Sequence, residues 1–465
     1  MNKHTCIPAL VLTLLIVFSA CSPNITAVAQ KQGKNDSIPR KDRSAKRAQK
    51  NDTLPIQDYY KTDFFRYDNH VYVPNIRSIQ LFREGWTFAV PVITFGSAEK
   101  LQLEFDDLDG DYKNYKYTLI HCSAAWKPTD LIPAEYIDGL TDDFITQYEY
   151  SFNTLQSFTH YSLTFPGENV RPLLSGNYIL KVFLDNADQT PVFSRKFMIV
   201  EPHVNVNMQV KRATDIDYHN YKQEVDFTID VSDYTIDNPY VDMKVILMQN
   251  GRWDNAKYDL KPKFVKGSLY DFDYEDENVF SGGNEFRRFD IKSLKYNSEF
   301  IRTIVSDSSG YHVYLKDEER ATFKIYYSEK DINGKYLITS EDNVRNATVE
   351  AEYVWVHFFL KYDAPLIDGT LHVFGALTDW QMNKDNQLTY NYDRKGYECA
   401  LYLKQGYYNY QYVFLENGAS AGDEAFIEGM HFETENDYSV FVYNREKGTM
   451  YDKLIGVGMV NSYGK

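Results

Sequence analysis

The sequence predicts an all-β protein of three tandem immunoglobulin-like or E-set β-sandwich domains, which follow a signal peptide and a disordered basic tether. Aromatic residues make up 16% of the 465 residues, with 39 Tyr and 29 Phe, and aromatic side chains fit the pleated, half-buried surface of a sheet. Short runs of alternating apolar and polar residues recur from residue 63 onward, whereas no stretch shows a long helical period. Turn residues separate these runs, as is typical of β-sandwiches.

Residues 1–21 are typical of an export signal. The apolar run Ile7–Ala20 follows Lys3 and is too short to span a membrane as a mature helix. It ends in Phe-Ser-Ala-Cys, with small residues directly before Cys21, which resembles the lipobox of bacterial lipoproteins. We therefore expect lipidation at Cys21, and ordinary cleavage after Ala29 is the alternative.

Residues 22–60 are predicted to be a disordered tether, because they contain few side chains large enough to bury. Eight Lys/Arg and two Asp give residues 31–50 a net charge of +6, whereas 41 basic and 64 acidic residues give residues 51–465 a net charge of −23. A body this acidic is a poor candidate for binding nucleic acid. Beside a lipid anchor, the basic tether favours anionic headgroups; a plain spacer, or attraction to the acidic body, is the alternative.

An N-terminal β-sandwich is predicted over residues 63–202. Alternating runs at 76–81, 101–105 and 115–119 predict strands with one buried face. Asp109-Gly110 predicts a hairpin turn between the last two of them. The four aspartates at positions 106–111 lack the glycine and the closing glutamate of a calcium loop, so we predict a solvated turn and no metal site.

A middle β-sandwich is predicted over residues 203–330, with strands at 204–208, 225–229 and 243–247. Near its end, Gly282-Gly283 predicts a turn. Two phenylalanines that can be buried and charges of both signs follow the turn. We predict that this motif orders one domain against the next, in a structural role; its residues are Asn284, Glu285, Phe286, Arg287, Phe289 and Asp290. A hairpin turn followed by an amphipathic strand is the simpler interpretation.

A C-terminal E-set-like β-sandwich is predicted over residues 345–465. Its segments 371–380 and 406–418 resemble the glycogen-binding module family, in which tryptophan stacks on sugar rings. Trp380 occupies the position of one such tryptophan and is a candidate glycan contact. The second tryptophan of that family is replaced by Ala419-Ser420-Ala421. A carbohydrate-binding outer-membrane lipoprotein is therefore the alternative function.

No enzyme motif with a known mechanism occurs in the sequence. A glycine-rich phosphate loop, a Gly-x-Ser-x-Gly elbow and a His-Glu-x-x-His pair are all missing. We predict a non-enzymatic protein with no catalytic residues, no cofactor and no bound metal. Cys122 and Cys399 lie far apart in different predicted domains, so we expect free, buried thiols rather than a disulfide.

A set of short motifs lies between residues 105 and 438, within a stretch of roughly residues 75–456. They are Phe105-Asp106-Asp107-Leu108, His121-Cys122 with Trp126, Tyr150-Ser151-Phe152-Asn153-Thr154, Thr159-His160-Tyr161, Ser175-Gly176-Asn177-Tyr178, Gly283-Asn284-Glu285-Phe286-Arg287 with Phe289-Asp290, Ile427-Glu428-Gly429, and Thr434-Glu435-Asn436-Asp437-Tyr438. Together they resemble the type IX secretion system plug protein family.

The resemblance implies a function. Members of that family are not enzymes; they bind the periplasmic mouth of a large outer-membrane β-barrel translocon and seal its pore when no substrate is passing. It implies a periplasmic protein at the inner face of the outer membrane, with the barrel as partner and no nucleic acid or small-molecule substrate. Membrane contact would come from the lipid anchor and the basic tether.

Overall fold

The computed structural model describes residues 65–342 and 345–463. The predicted signal peptide, the lipidation site Cys21 and the tether at 22–60 lie outside these residues. Within them the chain is all-β, with only short helical turns, so the predicted class is confirmed. In the described part of the chain, no helix has the length and apolar character needed to cross a membrane.

The first twelve strands form the N-terminal group. They are β1 (His70–Val71), β2 (Ile76–Arg83), β3 (Val92–Thr94), β4 (Leu101–Asp107), β5 (Tyr115–Cys122), β6 (Ile137–Gly139), β7 (Asp142–Phe144), β8 (Gln147–Tyr150), β9 (Thr159–Phe165), β10 (Val170–Pro172), β11 (Gly176–Leu184) and β12 (Pro191–Val200). The strands predicted at 76–81, 101–105 and 115–119 lie within β2, β4 and β5. A short helix, α1 (Pro133–Tyr136), precedes β6.

Two sheets enclose the core of the N-terminal group. One has the order β2-β4-β9-β8 and the other β1-β12-β11-β5-β7, with β3 parallel to β12; β6 and β10 form a separate pair. The alternation of β4 buries Leu101, Leu103 and Phe105. These side chains pack in the same cluster as Tyr161 of β9 and Phe193 of β12, so the predicted period-2 pattern faces the core.

The middle group begins with seven strands. They are β13 (Asn205–Arg212), β14 (Lys222–Asp230), β15 (Met243–Gln249), β16 (Lys257–Leu260), β17 (Phe264–Lys266), β18 (Leu269–Phe272) and β19 (Val279–Ser281). One sheet has the order β13-β14-β18-β17, with β19 also paired to β14.

The C-terminal group contains the next nine strands. They are β20 (Arg287–Asp290), β21 (Ile301–Asp307), β22 (Gly310–Leu315), β23 (Tyr336–Ile338), β24 (Tyr353–Lys361), β25 (Gly369–Phe374), β26 (Thr389–Asn391), β27 (Gly396–Lys404) and β28 (Gly406–Glu416). Its sheets run β20-β28-β23, with β25 also on β28, and β21-β22-β24-β27-β26. Short helical segments lie at α2 (Ala347–Glu350), Ala376–Thr378 and α3 (Ala425–Glu428).

The last two strands, β29 (Asp437–Asn444) and β30 (Lys453–Asn461), return to the middle group. They complete its second sheet, β16-β15-β29-β30, in which Met243 lies opposite Asn444. The sheets therefore join β20–β22 to C-terminal strands, and β29–β30 to β15. The described residues form one compact unit. The domain limits 63–202, 203–330 and 345–465, and the immunoglobulin-like or E-set type, stay predictions.

A shared apolar cluster joins the N-terminal and middle groups. Ile179 of β11 and Met198 of β12 lie in one buried cluster with Ile246 of β15 and Phe441 of β29. Cys122 is buried in the same cluster. Because a packed apolar interface of this kind resists sliding, the two groups are held as one body.

Candidate functional site: the junctions between the strand groups

The segment Asn284–Asp290 lies where the chain leaves the middle group and enters the C-terminal group. It follows β19 and contains β20, which pairs with β28. A Cβ at Gly282 would lie 2.0 Å from the carbonyl oxygen of His431, so the backbone passes too close there for any other residue. Gly283 has a φ of +68°, which favours glycine. The predicted turn thus brings the chain against the loop before β29.

Arg287 is the centre of a buried charge cluster at this junction. Its Nε donates to both carboxylate oxygens of Glu428, at 2.9 and 3.0 Å, and its Nη1 donates to Glu318 at 3.0 Å. The guanidinium also lies over the ring of Tyr412, 5.1 Å from its centroid. Burial alone would lower the pKa of Arg287, but Glu428 and Glu318 raise it well above its usual value. The charge is therefore fully compensated.

The aromatic residues of the segment are buried as predicted. Phe289 is fully buried and stacks on Tyr408 with centroids 5.1 Å apart. Phe286 contacts the ring of Trp380 at 5.9 Å. Phe289 and Tyr408 are also register partners of β20 and β28. These contacts tie the segment into the C-terminal core.

The polar residues beside Arg287 also have partners on other elements. The side-chain amide of Asn284 donates to the carbonyl oxygen of Glu428 at 2.9 Å. Arg288 pairs with Glu329, and Asp290 pairs with Lys292 at 3.2 Å, although that lysine is only two residues away. The placement supports the ordering role for all six residues, which stays a prediction.

Glu285 is the one residue of the segment whose charge is poorly compensated. It accepts hydrogen bonds from the Tyr326 hydroxyl and, at 3.3 Å, from the backbone N–H of Glu435. Burial, together with the charge of Asp331, raises the pKa of Glu285 to about 7. Burial likewise raises the pKa of Asp331, which accepts from Phe286 N at 2.6 Å, to about 6.

The raised pKa of Glu285 predicts a pH dependence of stability. A carboxyl group whose pKa is higher in the folded state than its ordinary 4.5 stabilises the fold below pH 4.5, and that contribution is lost as the pH rises through about 7. The uncharged variant Glu285→Gln should therefore melt about 2 °C higher than the wild type at about pH 8 and show a flatter pH profile. The exposed Glu319→Gln is the control. A profile unchanged by Glu285→Gln would contradict the assignment.

A second buried charge cluster joins the N-terminal and C-terminal groups. Asp106 of β4 accepts from Lys404 Nζ of β27 at 2.5 Å, from the hydroxyl of Tyr353 at 2.7 Å, and from His160 Nδ1 at 2.7 Å. The side chains of Asp106 and Lys404 are each 1% exposed. Burial alone would raise the pKa of Asp106, but Lys404 and His160 hold it below its usual value. An ion pair this deep links β4 to β27.

A third cluster joins the N-terminal and middle groups. Asp452 accepts from Lys244 Nζ at 3.0 Å, from Arg445 Nε at 2.8 Å and from the backbone N–H of Ala124 at 2.9 Å. Burial would raise the pKa of Asp452, but the Ala124 N–H and Lys244 lower it overall. Sequence reasoning did not single out Asp452 or Lys404. Each is one charged residue in or beside an apolar strand, and neither carries a local sign of its partner.

Trp380 is packed among side chains rather than standing free. Its ring lies 5.4 Å from that of Phe374, and the guanidinium of Arg252 lies 5.0 Å from its centroid. A Cβ at Gly334 would lie 2.3 Å from the ring. These contacts, with that of Phe286, explain why Trp380 is only partly exposed. Its role as a glycan contact stays a prediction.

The two cysteines and the aspartate turn have simple surroundings. Cys122 and Cys399 are free thiols as predicted, but only Cys122 is fully buried, whereas Cys399 is partly exposed. Burial raises the pKa of Cys122 to about 12 and that of Cys399 to about 11. Lys113 Nζ lies between the aspartates of the predicted turn, 2.8 Å from Asp107 and 3.5 Å from Asp111. Asp106 and Asp107 are buried rather than solvated as predicted, and the single ammonium group offsets only part of the negative charge of the turn.

Comparisons with known proteins assign part of the chain to a family. The profile described as "Type 9 secretion system plug protein 1st domain" matches residues 76–201, which covers most of the N-terminal group. The crystal structure of a hypothetical protein from Parabacteroides merdae superposes with a TM-score of 0.82 at 34% sequence identity, over 86% of this chain and 100% of that chain. Among curated proteins, none matches. Residues 76–201 belong to the family of type IX secretion system plug protein first domains.

Proposed function

We propose that this protein seals the periplasmic mouth of the outer-membrane translocon barrel of type IX secretion when no substrate is passing, without catalysing a reaction. The match of residues 76–201 to the first domain of the plug proteins supports a role in type IX secretion. The inference that the protein seals the pore rests on the physical properties of the joined strand groups described above. The partner is the translocon, and the compartment is the periplasm.

The observation that supports sealing most directly is the way the three strand groups are joined. The buried ion pair Asp106–Lys404 links the N-terminal and C-terminal groups, and the buried carboxylate of Asp452, paired with Lys244 inside the middle group, accepts from the backbone N–H of Ala124 in the N-terminal group. Separating the N-terminal and C-terminal groups would leave the buried charge of Asp106 without its partner, which costs about 3–5 kcal/mol. A body held in this way does not deform easily, and occlusion of a pore requires that stiffness.

Exposed apolar side chains give the body surfaces for adhesion. Several are more than half exposed, among them Trp86, Phe152, Ile216, Phe323 and Ile325. Rigid aromatic rings make contacts at a low cost in conformational entropy. Release then needs only a difference in affinity between an idle and an occupied barrel. We also propose that acylation of Cys21 holds the protein at the inner face of the outer membrane.

Affinity purification tests the proposed partner. The full-length tagged protein, isolated from detergent-solubilised envelopes, should co-elute with the translocon barrel, identified by mass spectrometry. A purification in which the barrel is absent, although the tagged protein is intact and folded, would contradict the proposal. A strain that expresses the tag on an unrelated periplasmic lipoprotein provides the background.

A further inference from the structure

We propose that the open edge of β8 is the surface on which a basic, extended segment of the translocon adds as an extra strand. The inference rests on the proposed function, because it takes the translocon as the partner. It goes further in assigning the surface and the chemistry of the segment that binds there. Three observations carry it: unused backbone groups, a row of exposed aromatic side chains, and an excess of acidic residues in the segment that contains β8.

The strand β8 lies at the end of its sheet. The order is β2-β4-β9-β8, and among the described residues β8 pairs only with β9. All four residues of β8, Gln147–Tyr150, are exposed. Natural sheets usually protect such an edge with lysine, proline, a bulge or a covering loop. The sequence of β8, Gln-Tyr-Glu-Tyr, contains neither lysine nor proline.

The register shows which backbone groups of β8 are free. Ser151 N donates to the carbonyl oxygen of Phe158 at 2.8 Å, in register with the pairing of Tyr150 with Thr159. Hydrogen-bonded pairs alternate along an antiparallel ladder, so Tyr148 and Tyr150 direct their N–H and C=O groups away from β9. Phe152 follows Tyr150 by two residues, so its N–H faces the same open side; it donates to the carbonyl oxygen of Val349 at 2.9 Å. One bond on the open side is therefore already made, and the next positions are vacant among the described residues.

Aromatic side chains line the same edge. The ring of Tyr148 lies 4.6 Å from that of Tyr112 and 5.6 Å from that of Tyr150. Tyr150 is 53% exposed and Phe152 is 68% exposed. An incoming strand would bury these rings while its backbone completed the ladder, as in strand addition to an open sheet edge. The unused backbone groups select an extended chain as the occupant.

The chain segment that contains β8 has an excess of acidic residues, two of which, Asp138 and Asp142, pair with Arg171 and Lys116. Residues 128–170 contain seven acidic residues, namely Asp130, Glu135, Asp138, Asp142, Asp143, Glu149 and Glu168, and no Lys or Arg. Glu149 lies within β8, and the contact recorded for its carboxylate is the amide of Asn346 at 3.5 Å. Complementary charge across an interface steers association and fixes register. The occupant therefore carries Lys or Arg between its apolar residues.

Photocrosslinking in the full-length protein in cells tests the assignment. A benzophenone amino acid in place of Tyr150 should crosslink to the translocon barrel, and the linked peptide should contain Lys or Arg. Ile367, which is 93% exposed and lies outside the edge, is the control position. Crosslinks from Tyr150 to a second copy of this chain or to its own residues 31–50, or equal yields from both positions, would overturn the proposal.

Two variants provide an independent test. Tyr150→Pro removes the N–H on the open side and leaves the bonds of β8 to β9, whereas Glu149→Lys reverses the charge. Each should lower recovery of the barrel at least about tenfold, while Ile367→Ser leaves recovery unchanged. Wild-type binding should also weaken at high salt. Melting curves show whether each variant is folded. If Tyr150→Pro is unfolded, recovery of the barrel with Glu149→Lys alone tests the proposal.

The outcomes separate this inference from the proposed function. If folded edge variants recover as much barrel as the wild type, the edge assignment is wrong and the sealing role stands. If the wild type recovers no barrel, the proposed function itself fails.

Discussion

Replacing Lys404 by methionine should lower the free energy of unfolding by about 3–5 kcal/mol. Lys404 and Asp106 are each 1% exposed and 2.5 Å apart. Methionine retains most of the volume of the lysine stem but leaves the carboxylate of Asp106 without its ammonium partner. A buried charge that loses its partner has no water to replace it. Urea unfolding followed by tryptophan fluorescence measures the loss.

Two controls show whether the loss comes from the unpaired charge. Lys361 and Glu319 form an exposed pair, 3.1 Å apart. Lys361→Met should therefore lower the free energy of unfolding by less than about 1 kcal/mol. Combining Lys404→Met with Asp106→Asn should recover part of the stability, because the uncompensated charge is then absent. A double variant that is less stable than Lys404→Met would contradict this explanation.

Replacing Arg287 by alanine should lower the free energy of unfolding by about 2–4 kcal/mol, because two buried carboxylates lose their common partner. Glu428 and Glu318 lie 2.9 and 3.0 Å from the guanidinium. The lower end of the range reflects the partial exposure of the cluster. Differential scanning calorimetry should show a lower melting temperature.

Arg302→Ala is the matched control, because its pair with Asp317 at 2.9 Å is exposed. It should change stability by less than about 1 kcal/mol. If Arg287→Ala leaves the melting curve unchanged but abolishes recovery of the barrel, Asn284–Asp290 contacts the translocon and does not order the groups.

The sequence was sufficient to predict the strands but not their partners. Alternation assigns residues such as Leu101 and Leu103 to a buried face, because a strand has a period of two. The same pattern does not show which strands pair with each other. Met243 of β15 pairs with Asn444 of β29, and no local feature of either strand distinguishes that partner from the many other apolar strands.

At the candidate site, too, the local features were predictable from the sequence and the long-range partners were not. The Gly282-Gly283 turn and the mixed charges after it indicated a segment that orders its surroundings. However, the partners of Arg287 are 31 and 141 positions away in the sequence, and the residues near Arg287 in the sequence do not indicate partners so far along the chain. Lys404 was missed for the same reason, since Asp106 is 298 positions away. Long-range ion pairs emerge only from the fold.

The most direct measurement of the central claim is the permeability of the outer membrane in cells that lack this protein. Uptake of a large fluorescent dye, normally excluded by the outer membrane, should increase in the deletion strain. Complementation with the wild type should restore exclusion, provided that the translocon barrel is present. A deletion strain that excludes the dye as well as its parent, with the barrel assembled and idle, would contradict the sealing role.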